Sequence, residues 1–140
     1  MDDTLQSKAA LLSKAALQSK VLLCKALQLG ELLDDHHGSE VVIMDMRNLN
    51  YWTDFFIIAT VTSNVHLSGL ERHIKQFAGE NELEILHRSR KPQDDDEWCL
   101  LDLGGIVIHL MTARARQFFE LERLWSAAPL IYETHSSKSS

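Results

Sequence analysis

The chain reads as an α/β domain, with strands and helices interleaved around one fully buried strand. Three observations predict this. Residues 55–61 (FFIIATV) are an unbroken apolar run of strand length, rich in β-branched and aromatic types, which suits a strand buried on both faces and therefore central. Leu67, Leu70, Ile74 and Phe77 then recur at three- and four-residue steps, the period of a helix with one buried side. Finally, residues 98–111 set two apolar runs about Gly104 and Gly105, the composition of a tight β-hairpin.

Taken in chain order, the first element is a helix from about 5 to 33. It opens with a repeated hexamer, SKAALL (7–12) and SKAALQ (13–18), which fades into Ser19, Lys20, Val21 and Leu22. Six residues do not fit a 3.6-residue turn, yet Leu5, Ala9, Leu12, Ala16 and Leu23 still share a stripe. Residues 34–40 (DDHHGSE) are turn material; His36 and His37 lack a third ligand at helical spacing and read as solvated side chains, not as a metal site. A first strand follows at 41–46, and a polar connection at 47–54, where Tyr51 and Trp52 act as core lids or exposed contacts.

After the central strand, Ser63 is an N-cap for a helix that stops at Gly79. Residues 83–87 alternate as an edge-like third strand, and Arg88, Arg90, Lys91 and Pro92 lead into the acids of 94–97 as an exposed loop. In the hairpin, a two-residue primed turn needs positive φ at both glycines, and its register sets Trp98 opposite Met111, Leu100 opposite His109 and Asp102 opposite Val107. Strand alternation then collects Trp98, Leu100, Asp102, Val107 and His109 on one face, with Asp102 and His109 as diagonal neighbours. Thr112 caps a final helix whose stripe is Phe118, Leu121 and Trp125, ended by Pro129. The expected organisation is a repeat-bearing helical extension (1–22), one α/β domain (23–130) and a loose tail (131–140).

At 140 residues with 45% apolar content, a single core is expected to bury about two-thirds of the unfolded surface. Four lysines and two aspartates fall in the first thirty residues, which leaves ten basic against eighteen acidic from Glu31 onward, a balance of -8. Such a body repels phosphates and favours a basic partner. Cys24 and Cys99, without CxxC spacing, suggest neither disulfide framework nor zinc. No apolar run approaches the ~20 residues of a membrane span, and a cytoplasmic setting is expected.

Asp102 and His109 raise the question of chemistry. A nucleophile would have to stand beside the histidine, but Cys99 points to the opposite face, so the pair reads as structural and no catalytic residue, metal or cofactor is assigned. Tryptophan among apolar and charged groups also has the composition of a binding hot spot. An RNA-binding module would need interleaved basic and aromatic residues, whereas only Arg88, Arg90 and Lys91 cluster, just before four acids.

From Cys24 to Pro129 the chain resembles the ribosomal silencing factors, the Iojap family. The resemblance rests on an ordered set: the aliphatic strand ending in Asp45, TDFFIIA (53–59), Ser63 with His66, WCLLDLGGIVIH (98–109) and FELERLW (119–125). It implies a mixed sheet of about five strands with nucleotidyltransferase-like topology. It also implies a non-catalytic repressor that binds the large ribosomal subunit through its basic fourteenth protein and sterically blocks small-subunit joining in starvation, or a large-subunit assembly factor of the same family. The contacts it implies are Trp98, Leu101, Asp102, Leu103 and His109, together with Ser63 and His66. Minor rRNA contact and a homodimer when free are compatible with it. A working nucleotidyltransferase would carry a second carboxylate two residues after Asp45, where Arg47 stands. Two departures are visible: the family usually has glycine where Val61 stands and an acidic residue where Gly105 stands.

Overall fold

The seven residues of β2 (Phe55–Val61) are all buried, because helices cover both faces of the strand. The computed structural model describes residues 2–49, 53–90 and 98–134. Within them lie α1 (Asp2–Asp35), β1 (Ser39–Asp45), a short 3-10 turn (Arg47–Leu49), β2, α2 (Asn64–Glu80), β3 (His87–Arg90), β4 (Trp98–Asp102), β5 (Ile106–Thr112), α3 (Ala113–Phe119), α4 (Leu121–Leu124) and β6 (Leu130–Glu133). The sheet runs in the order β3-β4-β5-β2-β1-β6. Only the β2–β5 pair is parallel, so the sheet is mixed.

Alternation along the strands divides the interior into two cores. Val41, Ile43, Phe55, Ile57, Ile106, Ile108, Cys99 and Leu101 face α1 and α2, where Ala26, Leu29, Leu33, Leu67, Leu70 and Ile74 meet them. Val42, Met44, Phe56, Ile58, Val107 and Met111 face the other way, under Ala115 of α3 and Leu121 of α4. Each Val, Leu, Ile, Phe or Met among them contributes roughly 1.5–3 kcal/mol on burial. Ser63 caps α2 by accepting the His66 N–H at 3.0 Å, and Thr112 caps α3 by accepting the Ala115 N–H at 3.2 Å. Glu71, only 5% exposed, is pinned by Arg88 from β3 and by Lys75 one turn on.

Against an expectation of about five strands, the sheet among the described residues has six. Leu130–Glu133 forms β6, taking in the start of the stretch 131–140 expected to be loose. The cause is tertiary: β1 would otherwise have an open edge. β6 closes it, and Val41 and Thr134 lock the end by two 2.9 Å bonds, Val41 N–H to the Thr134 hydroxyl and Thr134 N–H to the Val41 carbonyl. Residues 135–140 lie outside the described residues, as do Tyr51, Trp52 and the charged stretch 91–97.

The third strand is shifted from 83–87 to His87–Arg90, so Arg88 sits on a strand and not in a loop. Its partner β4 ends at the hairpin, and pairing begins at His87 opposite Asp102; Leu83 and Ile85 pack on the core without a ladder. In the hairpin turn only Gly104 has positive φ, +91°, as a type II′ turn requires at its first central position. Gly105 is small for another reason: a Cβ there would land inside the Leu22 side chain of α1. The expected single last helix is broken in two by Glu120, which adopts a left-handed conformation (φ 47°). Finally, only the second half of the α1 stripe docks: Leu23 packs on the core, while the side chains of residues 7–18 are exposed, Leu12 at 71%.

Candidate docking face

The hairpin has the register its two-residue turn demands: Trp98 opposite Met111, Leu100 opposite His109, Asp102 opposite Val107. Trp98, Leu100 and Asp102 therefore stand on the α3–α4 side of the sheet. All three are half-buried, because the short α3 and α4 do not reach across β4.

Behind them runs an aromatic row. The Trp98 indole N–H donates to His109 Nδ1 at 3.1 Å. His109 meets the Phe56 ring edge-on at 5.3 Å between centroids, and Phe56 meets Trp125 edge-on at 4.7 Å. The row thus joins β4, β5, β2 and the end of α4, with half-buried Leu49 beside it, and its two tryptophans reach the surface. His109 is only 4% exposed, and burial pushes its imidazole down to about 4, which keeps the ring neutral at neutral pH. With Nδ1 accepting, the proton sits on Nε2, and that atom finds no partner among the described residues.

The expected Asp102–His109 pair does not form. Asp102 Oδ1 instead accepts the Gly104 N–H at 2.8 Å, holding the turn, while His109 is spent on Trp98. Leu101 and Leu103 point to the opposite face, 0% and 5% exposed in the core under α1 and α2. Ser63 and His66 are elsewhere: His66 Nδ1 accepts the Thr62 N–H at 3.1 Å and Nε2 lies 3.0 Å from the His36 carbonyl, stitching the start of α2 to the end of α1. Of the seven residues expected at one contact, the structure brings three together at the face, Trp98, Asp102 and, beneath them, His109. Sequence reasoning missed Phe56 and Leu49: in the parallel register Phe56 stands opposite Val107, on the face it shares with His109, and nothing local marks Leu49, which packs against the same core.

Chemically, the face can bind. Its imidazole is buried and neutral, and the Cys99 thiol lies in the other core, 3.9 Å from Glu71. Among the described residues no three His, Cys, Asp or Glu side chains are grouped so as to hold a metal ion, and no helix is long and apolar enough to cross a membrane. At the far side of α3, Arg116 is 8% exposed and donates to the Glu40 carbonyl, the Thr60 hydroxyl and Glu122, anchoring α3 to β1 and β2. Four glutamates, Glu40, Glu120, Glu122 and Glu133, line the cleft beside it.

Residues 20–140 match the family model described as ribosomal silencing factor during starvation. The chain belongs to that family. Ribosomal silencing factors RsfS of Treponema pallidum (strain Nichols) and Bacillus subtilis (strain 168) are similar to it. The first is 35% identical over 100 residues, 71% of this chain and 88% of the relative. The second is 31% identical over 97 residues, 69% of this chain and 80% of the relative. A crystal structure from Bacillus halodurans superimposes with a TM-score of 0.61 at 29% identity, over 76% of this chain and 95% of the other. The chain therefore carries the family domain on residues that include the whole sheet and both tryptophans of the row, while the hexamer repeat at 7–18 precedes the matched region.

Proposed function

We propose that this silencing factor docks on the large ribosomal subunit through the half-exposed face of β4, meets the basic fourteenth protein of that subunit there, and blocks small-subunit joining by occupying the joining surface. The observation that carries this reading is the aromatic row that ends on the surface at Trp98 and Trp125, with Leu100 and Asp102 beside it. Buried-rimmed tryptophan next to a carboxylate is the composition of an interface hot spot. The charge agrees: a body at -8 from Glu31 onward attracts a basic partner and speeds the encounter. In this reading Trp98, Leu100 and Asp102 touch the partner. Leu101, Leu103 and His109 shape the strand from behind, and Ser63 and His66 serve the α1–α2 seam. Repression needs no bond to be made or broken, because occupancy of the surface is sufficient.

The test is a titration of purified large subunits with wild type and with the Trp98→Ala, Asp102→Ala double variant, after circular dichroism has shown the variant to be folded. Sedimentation then reports joined ribosomes. Dose-dependent loss of joining with wild type, absent with the variant, supports occlusion at this face; wild type that binds without affecting joining overturns it.

A further inference from the structure

The geometry points to His109 as the positioning residue that holds the Trp98 indole in its docking orientation. This rests on the docking reading above, and goes beyond it by giving a buried residue a part in recognition.

At 4% exposure the imidazole is out of reach of a partner. Its surroundings do not call for a polar ring either. Leu100 and Ile58 are its ladder neighbours, Phe56 packs on it, and Val107 and Met111 flank it on its own strand and face. A phenylalanine or leucine would fill such a site without leaving a buried N–H that finds no acceptor among the described residues, as Nε2 does here. Native proteins keep few such groups, because a buried donor that loses water without gaining an acceptor is destabilising. What the imidazole supplies in return is an acceptor, Nδ1, 3.1 Å from the indole nitrogen of a half-exposed tryptophan. The two rings lie 5.8 Å apart and tilted by 42°. That bond selects one indole orientation before any partner arrives. Docking then does not have to order the largest side chain of the face, and preorganisation of this kind raises affinity without a new contact.

Two substitutions separate positioning from packing. His109→Phe keeps a ring of similar size and removes the acceptor. His109→Asn sets its Oδ1 where Nδ1 stands, and so keeps the acceptor while losing ring volume. Each is measured three ways: thermal midpoint, affinity for purified large subunits at a temperature where the variant is folded, and the 1H–15N indole resonance that disappears in Trp98→Phe. Positioning predicts a split. His109→Phe is as stable as wild type or more so, its indole resonance moves upfield, and docking weakens by about five- to tenfold, the loss expected for one hydrogen bond. His109→Asn is less stable, yet keeps the resonance and docks like wild type. If His109→Phe docks like wild type, or if docking follows stability across the two variants, the imidazole is a packing residue and the inference falls. Trp98→Ala distinguishes the two levels: docking undisturbed by that change overturns the docking face itself, whereas docking lost in Trp98→Ala and retained in His109→Phe overturns the positioning alone.

Discussion

Leu101 and Asp102 are adjacent in the chain and have opposite surroundings. Leu101 is fully buried under α1 and α2, and Asp102 is half-buried on the face with Trp98. Leu101→Ala is expected to lower unfolding free energy by about 2–5 kcal/mol, as for other buried leucines, and to leave large-subunit affinity of the folded protein unchanged. Urea midpoints paired with sedimentation binding measure both. His109 gives a pH effect whose sign follows from its burial. Above 6.5 both states are neutral. Between 6.5 and about 4 the unfolded chain takes up a proton that the native chain refuses, so this contribution is complete above 6.5 and is lost as pH falls toward about 4. At one proton over that window the loss is about 3 kcal/mol. The difference in urea midpoint between wild type and His109→Phe therefore widens in favour of the variant from pH 7 to pH 4.5; a constant difference would show that the imidazole titrates normally. The neighbourhood of these residues was legible in the sequence, since a two-residue turn and strict alternation leave one register. Their bonding was not, because local rivals decide it: the Gly104 N–H lies two residues from Asp102, and the Trp98 indole reaches His109 first.

The elements that announced themselves carry their own periodicity. β1, β2, β4, β5 and α2 each show their buried face in their own residues, and each formed near its expected place. The elements that did not are those made by a partner. The four residues of β6 become a strand only by pairing with β1, from which they are separated by most of the domain, and β3 starts where β4 offers it a partner. The break between α3 and α4 belongs here too. Thr112 starts the helix as expected, but Glu120 turns left-handed and ends it, a conformation that disfavours a side chain with a Cβ by roughly 1–2 kcal/mol. Glu120→Gly is expected to stabilise the protein, by up to about 1 kcal/mol after the extra freedom of glycine in the unfolded chain is counted. Its exposed pairing with Arg123 offsets little of this. Denaturant midpoints of Glu120→Gly and Glu120→Ala check the point: the glycine variant exceeds wild type, and the alanine variant does not.

At the scale of the molecule, the two faces of one sheet are covered unequally. α1 and α2 together cover one face, while the other is covered at its middle by two short helices, so that β4 keeps half its outward side open. In the proposed docking a basic surface settles on this open margin of an acidic body, and binding weakens as salt rises. The long α1 covers the opposite face and meets the hairpin at its tip. Leu22 occupies the space where Gly105 would carry a side chain, and Arg47 bonds Ser19 at 3.1 Å just beyond. Gly105→Glu is therefore expected to displace α1 and to lower stability by about 1–3 kcal/mol, and Leu22→Ala in the same chain to recover part of that loss. A double-mutant cycle in urea measures the coupling, and additive losses would show that the helix and the tip are independent. Where they are coupled, the helix and the hairpin share a history: a carboxylate at 105 becomes tolerable only after residue 22 has shrunk, and a leucine at 22 only while 105 is bare. The history of residue 105 in this chain is then readable only together with that of residue 22.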